Sequence, residues 1–140
     1  MKRLMFVFLM LCNSTIYAQN AINLIGNWHN QRGSTLNISS INPTTGLITG
    51  TYTIRTPAPG TFPLTGYVHL NVAGSDRVST LITFCVNFPY YKTMTAWTGY
   101  ITPSSTNVNV LTIHTVWHLV SAAANAPYNH VTTDVDDFTR

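Results

Sequence analysis

Apolar and polar residues alternate along most of this chain with a period of two. Phe84, Val86 and Phe88 share one face of a run, with Cys85 and Asn87 on the other. Ile113, Thr115, Trp117 and Leu119 line up in the same way, opposite His114, Val116 and His118. Ile48, Gly50, Tyr52 and Ile54 share a face, as do Thr93, Thr95 and Trp97, and Asp134, Asp136 and Phe138. Turn residues punctuate the pattern at Arg32-Gly33, Asn42-Pro43, Thr45-Gly46, 57–60, Gly74-Ser75-Asp76, Pro89, Pro103-Ser104-Ser105 and Asn125-Ala126-Pro127. The spacing predicts strands over 26–31, 34–41, 47–54, 63–72, 78–88, 93–102, 108–120 and 130–138. Only the 55–62 and 121–129 links exceed ordinary hairpin length. Eight strands joined in series by hairpins suit an all-β, antiparallel up-and-down barrel, which leaves no open edge. A barrel of that size has an interior just wide enough for side chains or one small ligand.

Composition agrees. Glu is absent, Lys and Leu are sparse, and Thr, Val, Ile and aromatic residues dominate, so strand formers prevail over helix formers. The 140 residues fit one domain and show no repeat or linker.

Residues 1–18 read as a secretory signal rather than as part of the fold. Lys2 and Arg3 form a basic start, Leu4 to Leu11 an apolar stretch, and Ile16-Tyr17-Ala18 a cleavage site. The apolar run is too short to span a bilayer. The expected organisation is a signal over 1–18 and a barrel domain over 19–140, with the mature protein secreted to an extracellular or periplasmic space. Cleavage leaves five Lys and Arg against four Asp, a net charge of +1. No basic stripe remains, which argues against nucleic acid as a partner, and no membrane association is expected of the mature chain.

Cys12 leaves with the signal, so Cys85 has no intrachain partner. The expectation is that it is buried, as free cysteines commonly are, the other reading being a bond between chains. Without a disulfide, stability has to come from the core, from barrel closure or from oligomerisation.

The run Gly26-Asn27-Trp28-His29-Asn30-Gln31-Arg32-Gly33-Ser34 carries the first chemical signal. Trp28 and Asn30 share a strand face, and Ser34 returns to it after the glycine turn. The aromatic-bearing face of the strands is the natural inward face. It also holds Asn30, Ser34, Tyr52, Thr93, Thr95 and Asp136. Left unpaired inside, such groups cost roughly 1–3 kcal/mol each. Gathered near one barrel mouth beside large aromatics, they describe a pocket for a small polar ring.

Other constellations are weaker. His114 and His118 have the spacing of a helical zinc pair, but they lie on a strand, roughly 13 Å apart, with no Glu between them. Their outward face suits a subunit contact. Asp134, Asp136 and Asp137 have no second carboxylate cluster opposite them, which argues against glycosidase-type pairing. No motif places a Ser nucleophile, and Cys85 lacks the basic neighbour of a reactive thiol.

Ordered blocks across the chain resemble the avidin and streptavidin family: GNWHNQRGSTLNI (26–38), TGLITGTYTI (45–54), PLTGY (63–67), FCVNF (84–88), TAWTGY (95–100), VWHLV (116–120) and DDFTR (136–140). The resemblance implies an eight-stranded barrel that binds biotin without catalysis, metal or cofactor. It implies that Asn30, Ser34 and Tyr52 donate to the ureido oxygen and that Asp136 accepts a ureido N–H. Thr95 would meet the thioether sulfur, and Thr93 with the 55–62 loop the carboxylate tail. Phe88, Trp97 and Trp117 would form the aromatic box, lined also by Leu119, with Trp28 as packing beneath it. Self-association to a dimer or tetramer is implied as well.

Three positions depart from the family pattern. Ile54 stands where a Ser or Thr hydroxyl usually meets the second ureido N–H; facing inward it would cost roughly 1–3 kcal/mol, unless a bulge turned Thr53 or Thr56 in. Phe88 replaces a common Trp. Tyr128, or Pro127 with a shorter loop, occupies the place of a Trp lent by a neighbouring subunit as a lid. The expected function is therefore tight biotin binding, weaker than the family's best. The alternatives are a secreted barrel for a different small cyclic ligand, and a small barrel enzyme with Asp136 as base and Tyr52 as acid.

Overall fold

The computed structural model describes residues 23–55, 60–69, 80–103, 107, 110–122 and 129–140. Eight strands run in chain order: β1 (Gly26–Asn30), β2 (Thr35–Ile41), β3 (Leu47–Ile54), β4 (Gly60–His69), β5 (Thr80–Phe88), β6 (Thr93–Pro103), β7 (Leu111–Ser121) and β8 (Val131–Thr139). Each pairs antiparallel with the next, and β8 returns to β1 to close the barrel. The all-β up-and-down architecture expected from the alternation is the one observed.

The period of two appears directly in burial. Along β5, Thr80, Ile82, Phe84, Val86 and Phe88 are buried and the residues between them exposed. Cys85 is on the exposed side, which corrects the expectation of a buried thiol. On a strand the pleat, not the polarity of the side chain, sets direction, and Cys85 is out of phase with Phe84.

Two strand starts also move by three residues. β4 begins at Gly60, not at 63, so Pro63 lies inside a strand opposite Thr51. Pairing of β4 with β5 begins only at Leu64. Pro63, which has no N–H, thus sits where that edge of β4 makes no ladder pairing. β7 starts at Leu111, three residues later than the alternation alone implied, whereas 78 and 79, the expected start of β5, lie outside the described residues.

The lower barrel is filled by Leu24, Trp28, Leu36, Ile38, Ile48, Leu64, Ile82, Phe84, Ile113 and Phe138. Trp28 is fully buried and donates its indole N–H to the Leu24 carbonyl at 2.9 Å. It is packing, as expected. Arg140 lies over its ring at 4.0 Å.

The seam between β1 and β8 is short, two residue pairs at His29–Thr139 and Asn30–Phe138. Gln31 extends it with its side chain. Its Oε1 accepts from the Asp137 backbone N–H at 3.0 Å and its Nε2 donates to the Val135 carbonyl at 2.9 Å. A side-chain amide continues the ladder where the chain has already turned away. This leaves the barrel closed just where Asp136 faces inward.

Candidate functional site

The β1–β2 turn builds one wall of the upper barrel. Gly33 holds φ at 79°, a backbone region that a Cβ disfavours, and so brings Ser34 back over Asn30. Asn30 Oδ1 accepts from the backbone N–H of Ser34 at 2.8 Å and of Arg32 at 3.1 Å. With its oxygen used by the turn, the Asn30 amide presents its NH2 inward, 3.3 Å from the Tyr52 hydroxyl. Ser34 also hydrogen-bonds with Tyr52. Three groups from β1, the β2 start and β3 therefore converge at one point.

Burial pushes the Tyr52 phenol up to about 12, reinforced by the Asp136 charge and opposed by its bonds to Ser34 and Asn30. Tyr52 is thus a hydroxyl donor throughout the physiological range. Its ring lies 4.9 Å from that of Trp97 and edge-on to Phe88 at 6.3 Å. Phe84 stacks on Trp97 from below, at 4.9 Å and 15°.

Asp136 faces the three donors from β8. It is 2 % exposed, and its charge is met on both oxygens. Trp97 Nε1 donates to Oδ2 at 3.0 Å, Gln31 Nε2 to Oδ1 at 3.3 Å, and Arg32 Nε lies 3.4 Å from Oδ1. Thr115 fixes the backbone beneath by donating to the Asp136 carbonyl at 2.9 Å.

These groups line a cavity of about 270 Å³ at the barrel mouth. All ten residues expected there on β1 to β8 are in its wall: Asn30, Ser34, Tyr52, Phe88, Thr93, Thr95, Trp97, Trp117, Leu119 and Asp136. Tyr128 lies outside the described residues, as do Pro127 and Thr56. Of the 55–62 loop, 60–62 belong to β4.

Three further residues complete the wall. Tyr91 comes from a single 3-10 turn at Pro89–Tyr91, edge-on to Phe62 at 6.4 Å. Ile54 faces the cavity and is partly buried against the core. The β3–β4 register runs unbroken from Leu47 to Ile54, so no bulge intervenes, and Thr53 Oγ1 instead meets Thr61 Oγ1 at 2.9 Å on the exposed side.

Arg32 is the residue that alternation could not find. It sits in a turn, where the period of two lapses. Its guanidinium lies 5.6 Å from the Trp117 ring centre and pairs with Asp134 as well as Asp136. Asp134 is in phase with Asp136 but is exposed at the rim, held by Arg32 rather than turned into the pocket. The Val135 backbone N–H, and then Arg32, hold the Asp134 carboxyl below its ordinary range. The signal that could have pointed to Arg32 is its position between two site residues, Asn30 and Ser34, in a chain with few charges.

The buried Trp117 Nε1 has no hydrogen-bond partner among the described residues. A group of this kind calls for a water or a bound molecule.

Residues 18–140 match the avidin family. The chain belongs to that family. Among solved structures, this avidin-family barrel is similar to xenavidin, with 28% identity, a TM-score of 0.69, and coverage of 86% of this chain and 98% of that one. It is similar to bradavidin at 33% identity and TM-score 0.66, covering 81% of this chain and 77% of that one. The biotin binding protein from chicken shares the fold at 19% identity, with TM-score 0.68 and coverage of 86% and 97%. A comparison with curated proteins finds no match.

Proposed function

We propose that this avidin-family protein captures biotin in the mouth of its barrel and does no chemistry on it. The observation that carries this reading is the convergence of Asn30, Ser34 and Tyr52 opposite the buried Asp136 carboxylate, inside one aromatic-walled cavity. A ureido group has a carbonyl oxygen that accepts several bonds and N–H groups that donate. Donors on the oxygen and an anion at the N–H polarise the group and strengthen each bond. Thr95 and Thr93, further along the same wall, would meet the sulfur and the carboxylate tail.

Two features argue against acid–base work by the same residues. A phenol at about 12 is a poor proton donor near neutral pH. Asp136 has both oxygens engaged by Trp97, Gln31 and Arg32, a setting for a fixed acceptor rather than for a mobile base.

The proposal extends to assembly and location. Met94, Tyr100, Val116, Val120, Val131 and Val135 are exposed on the outer face of β6 to β8, with His114 and His118 on the same side of β7. Apolar groups in that number suit a contact between copies of the chain. Secretion follows from the signal pattern of residues 1–18. Light scattering at micromolar concentration tests the oligomer, and the N-terminal residue of the mature protein tests processing.

Titration calorimetry and a thermal melt with biotin test the function. Biotin at about 1,000 times its dissociation constant adds roughly 4 kcal/mol of stability, which raises the midpoint by roughly 10–20 °C in a domain of this size. No shift and no heat of binding would refute the reading.

A further inference from the structure

The order of strands around the barrel gives the polar groups of the cavity an order too. Passing from β8 through β1 and β2 to β3, the wall presents Asp136, then Asn30, then Ser34, then Tyr52 with Ile54. The three carbonyl-binding donors are thus flanked on the β8 side by a carboxylate and on the β3 side by an alkyl group. The unbroken register to Ile54–Gly60 keeps Ile54 in phase with Tyr52, and Thr53 is spent on Thr61 outside. The next strand does not repair the gap: Phe62, opposite Tyr52 on β4, is a buried ring packed edge-on against Phe88 at 4.9 Å. Among the described residues, the one side-chain acceptor that β3 and β4 offer the cavity is the Tyr52 hydroxyl, which already accepts from Asn30 Nδ2 at 3.3 Å. On the other flank Arg32 adds charge beside Asp136.

A symmetric cyclic urea carries an N–H on each side of its carbonyl. In this wall one N–H meets Asp136 and the other meets Ile54. Among the described residues the second finds no partner, so its desolvation is unfavourable, whereas a carbon substituent there would be buried against alkyl surface. Resting on the biotin reading above, we infer that the site is specific for an asymmetric ring edge, a carbonyl with one free N–H towards β8 and a substituted nitrogen towards β3. Ile54 is the specificity-determining residue. The ligand class is a biotin-like cyclic urea bearing a small alkyl group on one nitrogen, or a ring in which that nitrogen is replaced by carbon.

The test uses the unmodified protein with three probes: biotin and its two mono-N-methyl isomers, one methylated on each ureido nitrogen. Affinities are compared by calorimetry or competition. One isomer is expected to bind within about threefold of biotin or tighter, and the other to lose about 100-fold or more, since its methyl displaces the bond to the Asp136 anion. Ile54→Ser restores an acceptor. It is expected to tighten biotin by about 10–100-fold and to weaken the tolerated isomer by at least about tenfold. Ile54→Thr, β-branched like the native residue, serves if the Ser variant fails to fold. Loss of about 100-fold or more for both isomers, with biotin still bound, overturns the inference and leaves the biotin reading standing. If biotin and both isomers fail to bind, the biotin reading falls and the inference with it.

Discussion

The indole N–H of Trp97 donates to Asp136 Oδ2 at 3.0 Å, joining β6 to β8 across the cavity wall. The two residues are 39 apart in sequence, and each depends on the other. The indole gives a buried anion a donor, and the anion gives a buried N–H an acceptor. Asp136→Ala leaves that N–H orphaned and is expected to destabilise the fold by roughly 1–3 kcal/mol. Biotin affinity is expected to fall by about 100-fold or more, because a charged acceptor is lost. Asp136→Asn keeps the volume and one acceptor, so its melting midpoint is expected to lie between wild type and the Ala variant. Denaturant melts and calorimetry on both variants check this.

Tyr52 makes alkaline stability a readout of the same site. Its phenol stands at about 12 in the fold and near 10 when exposed. A raised value on an acid means that the folded state holds the proton more tightly. The contribution is fully present below pH 10 and is lost as pH rises through about 12. It amounts to roughly 2–3 kcal/mol for two units. Tyr52→Phe lacks this titration, so the wild type is expected to lose stability relative to the variant by about that amount as pH rises from about 10 to about 12. Biotin binding, which needs the protonated hydroxyl, should stay flat to about pH 11. Unfolding curves at a series of pH values decide both.

Gly33 places Ser34. At φ 79° an L side chain is strained, and a Cβ would also lie 3.2 Å from Arg55 Cδ. Gly33→Ala is expected to cost about 1 kcal/mol in stability. The affinity loss should exceed what that destabilisation implies, because Ser34 and the Asn30 amide are both held by this turn. Ser34→Ala is the control, with affinity reduced about tenfold and a midpoint close to wild type.

Asp134 has its carboxyl held low, first by its bond to the Val135 N–H and then by Arg32. A depressed acid contributes stability above its ordinary value of 3.8, and the contribution is lost as pH falls below it. Because the backbone bond is the larger cause, Arg32→Ala is expected to move the Asp134 titration only part of the way back towards 3.8. A carboxylate NMR titration of the two proteins shows the division. Full return to 3.8 would mean that Arg32, not the backbone, holds it.

Alternation was enough to place Asn30, Tyr52, Thr95, Trp97 and Asp136 on one inward face, because a pleated strand fixes side-chain direction every second residue. The same rule, applied without regard to polarity, would have turned Cys85 outward, where it lies. Strand starts were less legible. Pro63 reads as a boundary in sequence, yet an edge left unpaired on one side accepts it within β4.

Direction along a strand is a local property, and the chain alone carries it. Which flank of the pocket holds an acceptor is not local. It depends on closure bringing β8 against β1, on the Gln31 amide sealing that seam, and on a β3–β4 register that runs unbroken to Ile54. Arg32 belongs to the same class, since a turn has no period and only contact with Asp134, Asp136 and Trp117 gives it a place in the wall. The list of groups in the site comes from residue types at a spacing of two. Their order around the ligand comes from the closed sheet, because neighbours in space there are set by hydrogen-bond register between strands far apart in the chain.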